Sequence, residues 1–209
     1  MKFYDCATAP SPRRVRIFAA EKGIELPTVQ VDLRAGEHFG EAFRAVNPTC
    51  TVPVLELDDG TSIYESVAVC RYLEAAHPEP PLMGSSPAEQ GVVAMWDHRI
   101  EVEGFQAAAE MFRNTARGMQ GHALPGPDPV DQIPELAERG RMRVGRFFET
   151  LEARLEGREF VTGANFTAAD ITALVAVDFI HRLKVEPPDS CGNVRRWHEA
   201  VSARPSATA

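Results

Sequence analysis

Residues 47–74 read NPTCTVPVLELDDGTSIYESVAVCRYLE, and the fold is decided there. VLEL (54–57) and TSIY (61–64) flank Asp58-Asp59-Gly60, a turn between two apolar runs that predicts a β-hairpin. Glu65-Ser66 then opens a helical run, SVAVCRYLEAAH, which carries Val67, Cys70 and Leu73 and ends before Pro78. Upstream, EHFGEAFRAV (37–46) predicts a helix stopped by Asn47-Pro48, because the residue before a proline is pushed out of the helical region. TVQVD (28–32) alternates as a strand does, and KFYD (2–5) is a second strand. Between them PRRVRIFAAEKG (12–23) predicts a helix, with Pro12 at its first position and Gly23 just past its end. The order is βαβ followed by ββα, an α/β arrangement.

Downstream the pattern changes. PEPPLMGSSP (78–87) is a Pro/Gly/Ser-rich connector, which divides the chain into an α/β part, 1–78, and an all-α part, 88–209. Residues 88–118 place Val93, Trp96 and Ile100 at helical spacing, whereas 120–133 hold too much proline and glycine for a regular element. Val144, Phe147, Phe148, Leu151 and Leu155 form the apolar stripe of a second long helix. A third begins at Thr167 and is apolar nearly all round, as helices at the centre of a domain are. In FTAADI (166–171), Thr167 is a helix cap, Asp170 reaches back to it, and Phe166 and Ile171 form a hydrophobic staple.

Composition narrows the function. With 22 Lys and Arg against 30 Asp and Glu the chain carries a net charge of −8, which argues against duplex nucleic acid as a partner. No apolar run approaches a membrane span, and MKFYDCATAP lacks the apolar core of a signal peptide. Four scattered cysteines without a CxxC pair fit reduced thiols, so the expected setting is the cytoplasm. There is no HExxH, no paired cysteine ligands and no phosphate-binding glycine loop, so neither a metal nor a nucleotide site is expected. His98 and His181 are expected to be packed or solvated, and Arg13, Arg14 and Arg16 to form a solvated face.

The 47–74 stretch resembles the glutathione-binding half of cytosolic glutathione transferases, whose pattern is N-P-x-x-x-V-P-x-L, a hairpin, then E/D-S opening a helix. APSPRRVRIFAAEKGI (9–24) is similar to their first helix, and VTGANFTAADI (161–171) to the capping box of their second domain. The resemblance spans both halves of the chain in the family's order. It implies a thioredoxin-like N-terminal domain, a helical C-terminal domain that contributes a pocket for a small hydrophobic electrophile, and a homodimer. Parts of 105–117 and the Pro/Gly-rich loop are candidate pocket walls.

Carried over by position, the resemblance implies a cis bond at Val52-Pro53, with the Val52 backbone pairing with the cysteinyl unit of glutathione. Without it, the reading is an ordinary trans proline at a strand edge. Ser66 and the backbone N–H groups at the start of its helix would bind the γ-glutamyl carboxylate, with Glu65 accepting from the ligand's amino group. A plain helix cap is the simpler reading of the same residues. His38 would reach the glycyl carboxylate, or stand in solvent.

The chemistry turns on the thiol. A free thiol with a pKa near ~8.5 is only a few per cent ionised at neutral pH, and lowering it by two units requires ~2.7 kcal/mol. A hydrogen bond to the charged sulfur supplies ~1.5–3 kcal/mol and a helix N-terminus ~0.3–1 kcal/mol. The loop CATAPSP (6–12) offers Ser11 first and Thr8 second as donors, while Ser11 before Pro12 also reads as a helix cap. Ala9 stands where many family members carry the activating Ser or Cys. Cys6 ends the first strand, where a mixed disulfide with glutathione is conceivable beside a plain buried thiol.

The reading is a glutathione transferase that attacks an electrophile with the thiolate, with glutathione-dependent disulfide reduction as a variant. The Ala9 departure leaves a non-catalytic docking protein as the alternative. A zeta-like isomerase ranks last, because Ala9-Pro10-Ser11 lacks that class's serine pair followed by cysteine.

Overall fold

Strand β1 (Lys2–Asp5) leads through a short loop into α1 (Pro10–Glu21), which carries the chain over to β2 (Thr28–Gln30), parallel to β1. A 3₁₀ turn (Glu37–Phe39) and α2 (Glu41–Val46) follow, then β3 (Val54–Glu56), β4 (Ser62–Tyr64) and α3 (Ser66–Ala76). The sheet order is β2-β1-β3-β4, with β3 antiparallel to both neighbours. The computed structural model describes residues 1–209.

Tyr4 and Val54, paired across β1 and β3, sit with Val31 and Phe43 in one apolar cluster. Phe3 and Leu55, the next pair along, point to the opposite face and are fully buried, as alternation along a strand requires. Helices α1 and α3 pack together and bury Val15, Phe18, Val69 and Leu73. These elements, with the loop tip Leu124–Pro129 and Ala209, form the first of two units.

Three local expectations need correction. Helix α1 begins at Pro10, with Ala9 as its cap residue, so Pro12 does not open it and Ser11 is not its cap. The 37–46 helix is split, because Gly40 is extended (φ −70°, ψ 154°) between the 3₁₀ turn and α2. The second strand stops at Gln30, after which the Val31 N–H donates to the Asp5 carbonyl at 2.7 Å.

The second unit, Pro81–Ala123 with Val130–Thr208, is helical. Helix α4 (Pro87–Ile100) starts at a Ser86–Glu89 capping box, loosens to a π turn over Glu101–Phe105 and continues as α5 (Gln106–Arg113). The run expected over 88–118 is therefore interrupted, and it ends at Arg113. Close packing explains two glycines: a Cβ on Gly104 would fall 2.7 Å from the Phe147 ring, and one on Gly140 2.8 Å from the Ala107 carbonyl. Helix α6 (Pro134–Leu155) buries all five of its expected stripe residues. Helix α7 (Ala168–Arg182) is buried continuously from Ala168 to Val177, and α8 (Gly192–Ser202) follows it.

The start of α7 is closed by its own side chains. The N–H and hydroxyl of Thr167 both donate to Asp170 Oδ2 at 3.1 Å, and a capping box is formed. Asp170 Oδ1 also accepts from the Val161 N–H at 2.8 Å and from Trp197 Nε1 at 3.0 Å. Burial pushes this carboxyl up to about 6, against those donors, which hold it down. No helix is long and apolar enough to cross a membrane.

Candidate functional site

The site is built where the carboxyl ends of β1 and β2 meet the amino ends of α1 and α3. The register of β1 on β3 pairs Tyr4 with Val54, and that of β3 on β4 pairs Val54 with Tyr64. Carried two residues further, these registers set Val52 between Cys6 and Ser66. Val52 stands outside both pairings, is half-buried, and its N–H and C=O make no hydrogen bond with the chain. The Val52-Pro53 bond is cis, as the resemblance implied; Glu79-Pro80 is cis as well.

The loop before α1 is held from beneath. Asp5, 1% exposed, accepts from Arg16 Nη1 at 2.5 Å and from Gln30 Nε2 at 2.6 Å. Gln30 Oε1 then accepts the Ala7 N–H at 2.9 Å, and Arg16 Nη2 donates to the Ala7 carbonyl at 3.2 Å. One buried carboxylate thereby fixes both polar groups of Ala7, and with them the direction in which the chain enters α1. Arg16 and the buried Arg14 correct the expectation of a solvated basic face.

Helix α1 starts without a side-chain cap. The first turn of a helix has N–H groups with no helical partner, but Pro10 and Pro12 remove two of them. The Ser11 N–H is the donor left among the first three helical positions. Ser11 is half-buried, and its hydroxyl accepts from Arg14 Nη2 at a long 3.5 Å, which leaves the hydroxyl hydrogen available.

Helix α3 also starts without a side-chain cap, on Glu65. Glu65 is exposed and holds φ 74°, ψ 125°, a backbone strain that non-glycine residues seldom carry. Ser66 is 3% exposed, and its hydroxyl donates to the Ser11 carbonyl at 2.8 Å. That bond ties the two helix starts together and commits the Ser66 hydrogen, so an anion there meets the backbone N–H groups of Ser66 and Val67.

Ser11, Val52, Pro53, Glu65 and Ser66 are thus gathered at one end of the sheet. Thr8 is exposed in the loop, its hydroxyl 3.5 Å from the Sγ of the buried Cys6. His38 lies in the 3₁₀ turn with its ring on Phe39, centroids 3.9 Å apart. Asp5 and Gln30 carry no motif that marks them, and Arg14 and Arg16, expected on a solvated face, are drawn into the site instead. The available signal is an acid at the end of the β1 strand pattern with basic residues on the adjoining helix.

Comparisons with known proteins agree with this architecture. The family model for the glutathione S-transferase N-terminal domain matches residues 8–76, and that for the C-terminal domain matches residues 111–205. Glutathione S-transferase 2 of Saccharomyces cerevisiae is 35% identical over 99% of this chain and 87% of its own length. The crystal structure of a glutathione S-transferase domain-containing protein from Marinobacter aquaeolei superposes with a TM-score of 0.91 at 38% identity, covering 99% of each chain. A maleylacetoacetate isomerase of Pseudomonas aeruginosa is 39% identical, but only over 46% of this chain and 48% of its own. The chain belongs to the glutathione S-transferase family and is an enzyme of that family.

Proposed function

We propose that this enzyme ionises the thiol of glutathione at the start of α1 and directs the thiolate onto a small hydrophobic electrophile. The observation that supports this reading is the pair of uncapped helix starts, α1 and α3, joined by the Ser66–Ser11 bond beside the unpaired backbone of Val52. A tripeptide with a carboxylate at one end and a thiol in its middle fits that spacing of donors. The N–H groups of Ser66 and Val67 hold the γ-glutamyl carboxylate, Glu65 accepts from the adjacent amino group, and Val52 pairs with the cysteinyl backbone. His38 serves the glycyl carboxylate.

The sulfur then meets two donors from one residue, the N–H and the hydroxyl of Ser11, with the Arg14 guanidinium behind them. Charge-assisted hydrogen bonds of ~1.5–3 kcal/mol and a helix-end contribution of ~0.3–1 kcal/mol are enough to lower a thiol by about two pKa units. Asp5, Arg16 and Gln30 hold the loop so that these donors need not reorganise when the thiolate forms. Thr8 is the second candidate donor. A mixed disulfide between the protein and glutathione is disfavoured because all four cysteines are buried, whereas disulfide reduction by the glutathione thiolate itself stays open as the variant reaction. We further propose that the enzyme works as a homodimer in the cytoplasm.

The ultraviolet absorbance of thiolate in the bound tripeptide, followed against pH, tests the assignment. Ser11→Ala should raise the midpoint of that titration by about one unit or more and cut turnover at neutral pH about tenfold. An unchanged midpoint and turnover would remove the Ser11 hydroxyl and pass its role to Thr8. Calorimetric titration showing no glutathione binding at millimolar concentration would overturn the whole site.

A further inference from the structure

Glutathione transfer makes no use of a polar cluster in the helical unit. Asp178 and His181 lie three residues apart on α7 and so share a face, and His198 comes from α8. Asp178 Oδ1 and His198 Nε2 are 2.7 Å apart, and the rings of His181 and His198 meet edge-on with centroids at 5.2 Å. One ligating atom from each of the three residues lies within 4.8 Å of the other two, and all three are half-buried. Glu186 brings a further carboxylate oxygen to 3.4 Å from His181 Nε2.

A hydrogen bond between Asp178 and His198 is enough to tie α7 to α8, and it accounts for those two residues. It does not account for His181, whose Nε2 is shielded from solvent and makes no hydrogen bond, with only the exposed Glu186 carboxylate at a long 3.4 Å. In the neutral tautomer that leaves it unprotonated, a shielded ring nitrogen near a second imidazole and a carboxylate offers a lone pair that a metal can accept.

We propose that Asp178, His181 and His198 bind a divalent transition-metal cation of the Zn²⁺ class, with Glu186 or water as the fourth donor. Two imidazoles and a carboxylate suit Zn²⁺ or Co²⁺ and not Ca²⁺ or Mg²⁺, which take oxygen donors. With Zn²⁺ bonds of about 2.0–2.2 Å, tetrahedral donors stand roughly 3.4 Å apart. The present separations of 2.7 Å and at most 4.8 Å therefore reach that geometry by side-chain adjustments of about 1 Å. The bound cation bridges α7 to α8 and leaves the N-terminal unit untouched. Sequence motifs did not reveal the cluster, because His198 lies 20 residues beyond Asp178 and on a different helix.

The test uses the full chain, stripped with a chelator and kept free of glutathione, whose thiol competes for metal. Zn²⁺ alone should bind saturably at one equivalent, and Co²⁺ alone should develop the visible absorption of a tetrahedral site that Zn²⁺ then displaces. His181→Gln and His198→Gln should each weaken Zn²⁺ binding by at least 10–100-fold, the loss that removing a mere supporting residue already causes. Conjugation of glutathione should stay at the wild-type level in both. Equal Zn²⁺ affinity in wild type and both variants overturns the proposal. Should a glutamine variant not fold, imidazole nitrogen NMR of the wild type decides. Zn²⁺ must shift the ring signals of His181 and His198, and if those stay unmoved at saturation while other histidines respond, the assignment is wrong.

Discussion

Helices α1 and α7 begin in opposite ways. At α7, Asp170 collects the Thr167 N–H and hydroxyl, the Val161 N–H and the Trp197 indole, all within 3.1 Å. At α1 no side chain caps the start, two prolines thin the donors, and the Ser11 N–H is left facing outward from the helix. Both starts carry the positive end of a helix dipole. Where the chain satisfies that end itself, the product is a rigid joint between helices. Where it does not, the donors stay open, and under the proposed function an anion from outside completes the helix. The same contrast separates α3, open at Glu65, from α8, whose first N–H groups are taken by the Glu152 carboxylate of α6 at 2.9–3.1 Å.

If the contrast holds, the largest effect comes from opening the closed start. Asp170→Ala leaves three buried N–H groups without an acceptor, each worth about 1–3 kcal/mol, so unfolding free energy should fall by about 3 kcal/mol or more. Chemical denaturation measures it, and a loss below 1 kcal/mol would mean that water enters and replaces the carboxylate. Closing the open start is the converse. Ala9→Asp supplies α1 with a cap and should add about 0.5–2 kcal/mol of stability. The new carboxylate takes the Ser11 N–H and repels the thiolate, so conjugation should drop at least tenfold. A variant that is stabilised and fully active would break the link between the uncapped start and the chemistry.

The smallest effect is pH-dependent and sharpens the closed side. The Asp170 carboxyl titrates near 6 in the folded chain, against an ordinary carboxylate value near ~3.9 in the unfolded one. The folded state therefore holds this proton more tightly. Its contribution to stability is full below the ordinary carboxylate range and is lost as pH rises through 6. Relative to Asp170→Asn, the wild type should gain about 1 kcal/mol between pH 7 and pH 5. A difference independent of pH would show that the four donors outweigh burial and keep the carboxylate ionised throughout.

Much of the architecture was legible because its signals are local. The hairpin around Asp58-Asp59-Gly60, the Thr167–Asp170 box and the stripe from Val144 to Leu155 involve residues within one turn or a few turns of one another. The family resemblance extended this to the cis bond at Val52-Pro53. Reading failed where short-range rules conflicted: Pro10 and Pro12 can each open a helix, and Gly40 can either continue one or break it.

Amino-acid order alone determined an α/β part followed by helices, and it placed a proline-rich loop and two serines at helix starts, because hydrogen bonds between near neighbours depend only on spacing. Tertiary structure decided the rest. It buried Asp5 under Ala7, spent the Ser66 hydroxyl on Ser11, gave α8 its cap from Glu152, and set His198 against Asp178 and His181. The hydrogen bonds that do this join residues 11 to 55 positions apart, and only the packing of the apolar faces brings such partners together.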